Sequence, residues 1–210
     1  PADGRSWFAL QLGDVTVAGG LDPSLLDLSA TLSINRLAYN SASGATATGV
    51  AAKRLNWATA FDLDADGSPD ILDPGLELPL PAALPIDFAA SLQLQVVGTL
   101  TGNGSVNRGT LTTTTAILDL DPLTVYGSAG FALTQQTVDA DTDGNGSADL
   151  LGASLTTLAL DAQGVGVYID GIANLTVTGK LALATLTPAT VVPADGRSWF
   201  ALQLGDVTVA

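Results

Sequence analysis

The sequence predicts an all-β fold, and three observations predict it. Apolar and polar side chains alternate with a period of two along many segments, the spacing that sends successive residues to opposite faces of a strand. Turn-forming clusters rich in Gly, Asn, Asp and Ser punctuate those segments. Residues that favour helices are scarce: Glu77 is the only glutamate among 21 acidic residues, and Met is absent. A fourth observation bears on architecture. Residues 1–18, PADGRSWFALQLGDVTVA, recur without change at 193–210, a period of 192 residues. That period is far longer than in short-period solenoids, so each repeat is a domain-sized unit or a small group of structural units. The expected form is an elongated β-solenoid or stacked-sheet tandem repeat, favoured over beads of compact β-sandwiches.

Each element follows from its own pattern. The repeated segment carries Phe8, Leu10 and Leu12, then Val15 and Val17, on alternate positions. Leu28, Ala30, Leu32 and Ile34 then alternate with Ser29, Thr31 and Ser33, as in a half-buried strand. Leu92, Leu94 and Val96 alternate with Gln93 and Gln95, and a longer run passes from Leu123 through Val125, Ala129 and Phe131 to Leu133. Val165, Val167 and Ile169 form another, and Leu175, Val177, Leu181 and Leu183 the last before the second copy. About ten strands per period are expected. Turns are expected over 18–24, 40–44 and 102–105 and in two Asp-rich loops. The four prolines of residues 74–85, PGLELPLPAALP, exclude a central strand and mark an edge, a connector or a seam between two subunits of the repeat. Residues 1–192 are thus one full repeat and 193–210 the start of the next. The chain opens on Pro1 with no leader pattern and reads as a window of a longer polypeptide.

Composition narrows the function. The net charge is −14, and without the second copy the period holds 19 acidic and 6 basic residues, or −13. That sign opposes nucleic-acid binding. No run of about 18 apolar residues is present to span a bilayer as a helix. With neither His nor Cys, Ser–His–Asp and Cys–His catalysis and zinc sites of the usual ligands cannot be assembled from this chain. Lys53 and Lys180 read as solvated side chains, and Trp7 and Trp57 as packing or repeat-contact residues rather than a sugar platform. The expectation is a non-catalytic protein.

Two loops carry the most specific chemistry. Residues 62–73, DLDADGSPDILD, place Asp62, Asp64 and Asp66 at alternate positions, followed by Gly67, Ser68, Asp70 and Asp73. Residues 139–149, DADTDGNGSAD, supply Asp139, Asp141, Asp143, Asn145, Ser147 and Asp149. Setting Asp62 on Asp141 aligns Asp64 with Asp143, Asp66 with Asn145, Gly67 with Gly146, Ser68 with Ser147 and Asp70 with Asp149, at a constant offset of 79. Alternating carboxylates on a short loop repel one another unless a cation with many oxygen ligands lies among them, and a glycine at the sixth position allows the sharp turn such loops need. Ca2+ fits this pattern better than Mg2+, which keeps more of its waters. The twelfth position, where a further acid is expected, holds Asp73 in the first loop and Gly152 in the second. The second loop is therefore either a weaker site or one registered from Asp139. Both loops resemble the calcium loops of EF-hands, dockerins and thrombospondin type 3 repeats, without the flanking EF helices.

The succession GRSWFALQLGDVTVAGGLD, LSATLSINRLAYN, KRLNWATA, IDFAASLQLQVVGTL, YGSAGFAL and ASLTTLALDAQGVGVYI resembles the tandem repeats of very large bacterial surface proteins. The resemblance covers nearly the whole period, departs from the family in the two Asp loops and the proline-rich connector, and implies export and a surface or filament role without catalysis. The leading expectation is therefore a calcium-stabilised structural repeat of an extracellular or cell-surface filament, its partners being neighbouring repeats of the same protein. The alternative is a stalk or ligand-binding repeat of a giant bacterial adhesin, with surface glycans as candidate ligands.

Overall fold

The structure, a computed structural model, describes residues 3–20, 27–189 and 196–210. Of the turn expected over 18–24, residues 21–24 lie outside the described residues. Nine strands are described: β1 (Ser6–Gly20), β2 (Asp27–Ser43), β3 (Leu92–Gly102), β4 (Gly104–Arg108), β5 (Leu111–Leu120), β6 (Leu123–Ala140), β7 (Leu150–Ile169), β8 (Ala173–Thr187) and β9 (Trp199–Val209). The fold is all-β, and the one helical element among the described residues is a single 3-10 turn at Pro74–Glu77. Among the described residues of the period, β1 to β8 make eight strands, fewer and longer than expected, because several alternating runs continue through glycines instead of ending at them. Register shifts fall between Tyr126 and Ser128 of β6, between Ala162 and Val165 of β7 and between Thr178 and Lys180 of β8. These bulges bend and twist the strands without breaking the ladder.

Every pairing between these strands is antiparallel, and the main path runs β1-β2-β3-β6-β7-β8-β9. The 20 residues of β7 make the sheet about 65 Å tall at the usual rise per residue. At one end of the strands the sheet closes on itself. β2 passes from β3 to β5 at Leu28↔Leu118, and β5 also pairs with β6, so β2, β3, β6 and β5 form a closed four-stranded barrel. The short β4 covers the outer edge of β5. Val106, Leu111, Ala116 and Tyr168 are buried here with Tyr126 packed against them. The Tyr168 hydroxyl donates to Asp170 Oδ1 at 2.7 Å and accepts from the Thr110 amide at 3.2 Å.

At the opposite end, residues 44–91 leave the sheet between β2 and β3 and fold back over it. Asn40, fully buried on β2, anchors them. Its Nδ2 donates to the carbonyls of Leu55 at 3.0 Å and Ala89 at 3.2 Å, and its Oδ1 accepts from Trp57 Nε1 at 2.9 Å. The Trp57 amide donates to the carbonyl of Phe88, which is buried, and the Trp57 ring lies 5.6 Å from that of Phe61. Every polar atom of the Asn40 side chain is thus paired, as burial requires. Arg54 straps the same excursion to β3 and β6 through Gln93 Oε1 at 3.5 Å and the Thr137 hydroxyl, and partial burial lowers its pKa. Trp7 of β1 joins it by donating from Nε1 to the Lys53 carbonyl at 2.9 Å.

Candidate metal centre

Both Asp-rich loops lie at the end of the sheet away from the barrel. The first belongs to the excursion that leaves β2 and re-enters at β3, and the second joins the end of β6 to the start of β7. Each is closed at its base by one backbone pair. The Asp70 amide donates to the Phe61 carbonyl at 2.7 Å, and the Asp149 amide to the Ala140 carbonyl at 3.0 Å.

Above that base the loops share four backbone-to-side-chain bonds at the offset of 79. The Gly67 amide donates to Asp62 Oδ2 at 3.0 Å, and the Gly146 amide to Asp141 Oδ2 at 2.7 Å. The Asp66 amide donates to Asp64 Oδ1 and the Asn145 amide to Asp143 Oδ1, both at 3.1 Å. The Ser68 amide donates to Asp66 Oδ1 at 2.7 Å and the Ser147 amide to Asn145 Oδ1 at 2.8 Å. The Leu63 amide donates to an Asp70 oxygen at 2.7 Å and the Thr142 amide to an Asp149 oxygen at 2.6 Å. Gly67 and Gly146 both have φ 88°, a left-handed conformation that glycine adopts without steric cost.

The consequence is a convergence of carboxylates. Asp62, Asp64 and Asp70 each present an oxygen within 4.8 Å of the others, and so do Asp141, Asp143 and Asp149. Each trio could therefore hold a metal ion, with positions left for carbonyls and water. Asp66, Asp73 and Asp139 are not among these trios. The Asp73 carboxylate caps the 3-10 turn, accepting from the Gly75 amide at 3.1 Å and the Leu84 amide at 2.7 Å. Asp139 accepts from the Gly152 amide at 2.7 Å, so the acids that converge belong to the register that begins at Asp141. Asp66 and Asn145 orient the loops through Ser68 and Ser147, and Asn145 Nδ2 also donates to Asp143 Oδ2 at 2.9 Å.

Electrostatics distinguish the second loop. The Asp141 carboxyl is held below its ordinary pKa chiefly by the Gly146 amide, with those of Gly144 and Asp143 adding to it. Asp149 is lowered first by the Thr142 hydroxyl, then by the Thr142 amide, with a smaller contribution from the charge of Arg197. Sequence reasoning did not single out Thr142 or Arg197. Thr142 occupies the second loop position, between two acids, and the approach of Arg197 depends on strand pairing. No protein-family model, curated protein or solved structure matches the chain.

Proposed function

We propose that the chain is a structural, non-catalytic repeat of an extracellular filament or surface fibre, stabilised by Ca2+ at Asp62, Asp64 and Asp70 and at Asp141, Asp143 and Asp149. The observation that carries this reading is the place of the duplicated segment. Its first copy is the strand at one edge of the nine-stranded sheet and its second copy the strand at the other. A unit that begins and ends on the same edge strand can be joined to its neighbours by the pairing that holds it together. The antiparallel meander favours stacked sheets over the parallel coils of a solenoid. The paired acidic loops suit a medium rich in calcium, where modules bind with dissociation constants of about 10⁻⁴ to 10⁻³ M. The resemblance to repeats of giant bacterial surface proteins points the same way.

Electron microscopy of the protein in calcium, with and without a chelator, tests the reading. Filaments of regular axial repeat that fray on chelation are expected. Dispersed particles under both conditions would refute the fibre, and thin single-chain stalks would favour the adhesin alternative.

A further inference from the structure

The duplicated segment occurs in the structure with two different neighbours, β2 in its first copy and β8 in its second. In an antiparallel ladder the N–H and C=O of one residue point to the same edge of its strand, and those of the next residue to the other edge. The edge each copy uses can therefore be read from individual bonds.

The Ser29 carbonyl accepts from the Asn103 amide, on the β3 side of β2, whereas the Leu28 carbonyl lies toward Gly20 of β1. Alternation then directs Ala30, Leu32 and Ile34 at β1, where their register partners are Gly19, Val17 and Val15. In the first copy Val15, Val17 and Gly19 bond to β2, while the N–H and C=O of Thr16 and Ala18 face the other edge, which is open among the described residues. In the second copy Ala210, the equivalent of Ala18, exchanges both bonds with Thr176 at the end of the β8 pairing, at 2.9 and 3.0 Å. Ala210 and Thr208 thus face β8, and Val207 and Val209 face outward. The two neighbours use opposite edges of one sequence.

The backbone of the two copies agrees as well. Asp14 has φ 53° and Asp206 has φ 51°. Against β8 this residue forms a bulge that shifts the register between Thr178 and Lys180, whereas the register of β1 against β2 is the same on both sides of Asp14. β1 therefore already holds the conformation that pairing with a β8 strand uses. It also runs antiparallel to β2 as β9 does to β8, so the two pairings are compatible in direction.

We infer that the segment is a splice strand: the open edge of β1 takes β8 of another copy of this repeat, so each copy of SWFALQLGDVTV joins β8 of one repeat to β2 of the next. This rests on the reading of the chain as a filament repeat and specifies its junction as one uninterrupted sheet. The path from β1 to β9 takes six steps, which at the usual strand spacing amounts to at most about 29 Å of sheet per repeat.

Amide hydrogen exchange followed by NMR tests the inference, first on the 210-residue chain. Val15 and Val17 are expected to exchange at least roughly tenfold more slowly than Thr16 and Ala18, and Thr208 and Ala210 more slowly than Val207 and Val209. In a chain of two successive periods, all four residues of the central copy that correspond to 15–18 become protected. Protection of the same residues in both copies of the 210-residue chain, or a central copy that keeps an alternating pattern, would overturn the splice strand. Either result leaves the filament reading to stand or fall by microscopy.

Discussion

Replacing Asn40 by alanine removes the anchor between the sheet and the 44–91 excursion. The substitution breaks three hydrogen bonds at 2.9–3.2 Å and strands the indole N–H of Trp57 and the carbonyl of Leu55, while the Ala89 carbonyl keeps the Leu92 amide at 3.1 Å. Each buried group left without a partner costs about 1–3 kcal/mol. Water entering the small space vacated by the amide recovers part of that cost. A net loss of about 3 kcal/mol follows, and for a chain of this size it lowers Tm by roughly 6–12 °C. Asn40→Asp separates hydrogen bonding from shape. It keeps the acceptor for Trp57 but loses both donors and buries a carboxyl, whose pKa burial raises. A raised folded-state pKa means that the contribution of the new carboxyl is intact below its unfolded pKa and is lost as pH rises through the folded one. The Asn40→Asp protein is therefore expected to fall further behind the Asn40→Ala protein in stability at pH 7 than at pH 4. Thermal and urea unfolding followed by circular dichroism measures both effects. A shift under 2 °C for Asn40→Ala would refute the view that this buried amide holds the excursion in place.

Calcium at 100 times its dissociation constant should stabilise the fold by about 2.7 kcal/mol per site. Asp62→Ala and Asp141→Ala should each remove one site in a titration calorimeter, and an unchanged Tm with no heat of binding would exclude both sites. Asp141 and Asp149 have pKa values lowered in the folded chain, so their contribution is present above the ordinary value of 3.8 and is lost as pH falls through their folded values. Carboxyl-carbon NMR titration of the calcium-free protein should show both midpoints below 3.8, with Asp149 moving toward it in Thr142→Val. Gly179→Ala places a Cβ 2.7 Å from the Val207 Cα at φ +134°. A strained residue of this kind costs about 1–3 kcal/mol, and the loss should appear as faster amide exchange at Thr208 and Ala210 with little change at Val17.

The sequence made the strands legible because one side chain in two is apolar over long runs, a pattern that survives a glycine or a bulge. It made the kinship of the acidic loops legible through the offset of 79, and the shared backbone bonds follow that alignment residue by residue. Other features were hidden for physical reasons. Barrel closure depends on two residue pairs between β2 and β5, and nothing in either strand marks a partner about 90 positions away. Asp73 stands at a ligand position by count, but the proline-rich turn that follows it supplies two amides that donate to its carboxylate. Asn40 looks like one more turn-forming asparagine beside Ser41, Ser43 and Gly44. Only the fold-back of Trp57 shows that its amide is the fixed point of a 48-residue excursion.

Six steps from one splice strand to the next is an even number, and an even number preserves direction. Each repeat therefore enters the sheet pointing the same way as its predecessor, related to it by translation and twist and never by a flip. A ribbon built like this has two unlike margins. All the barrels fall along one, and all the Asp loops, which hold nine of the twenty aspartates, along the other. With an ordinary twist of about 20–25° per strand, the acidic margin would wind some 120–150° per repeat around the ribbon. Calcium would then be bound along a single helical seam, and its removal would charge one side of the fibre while leaving the other as it was.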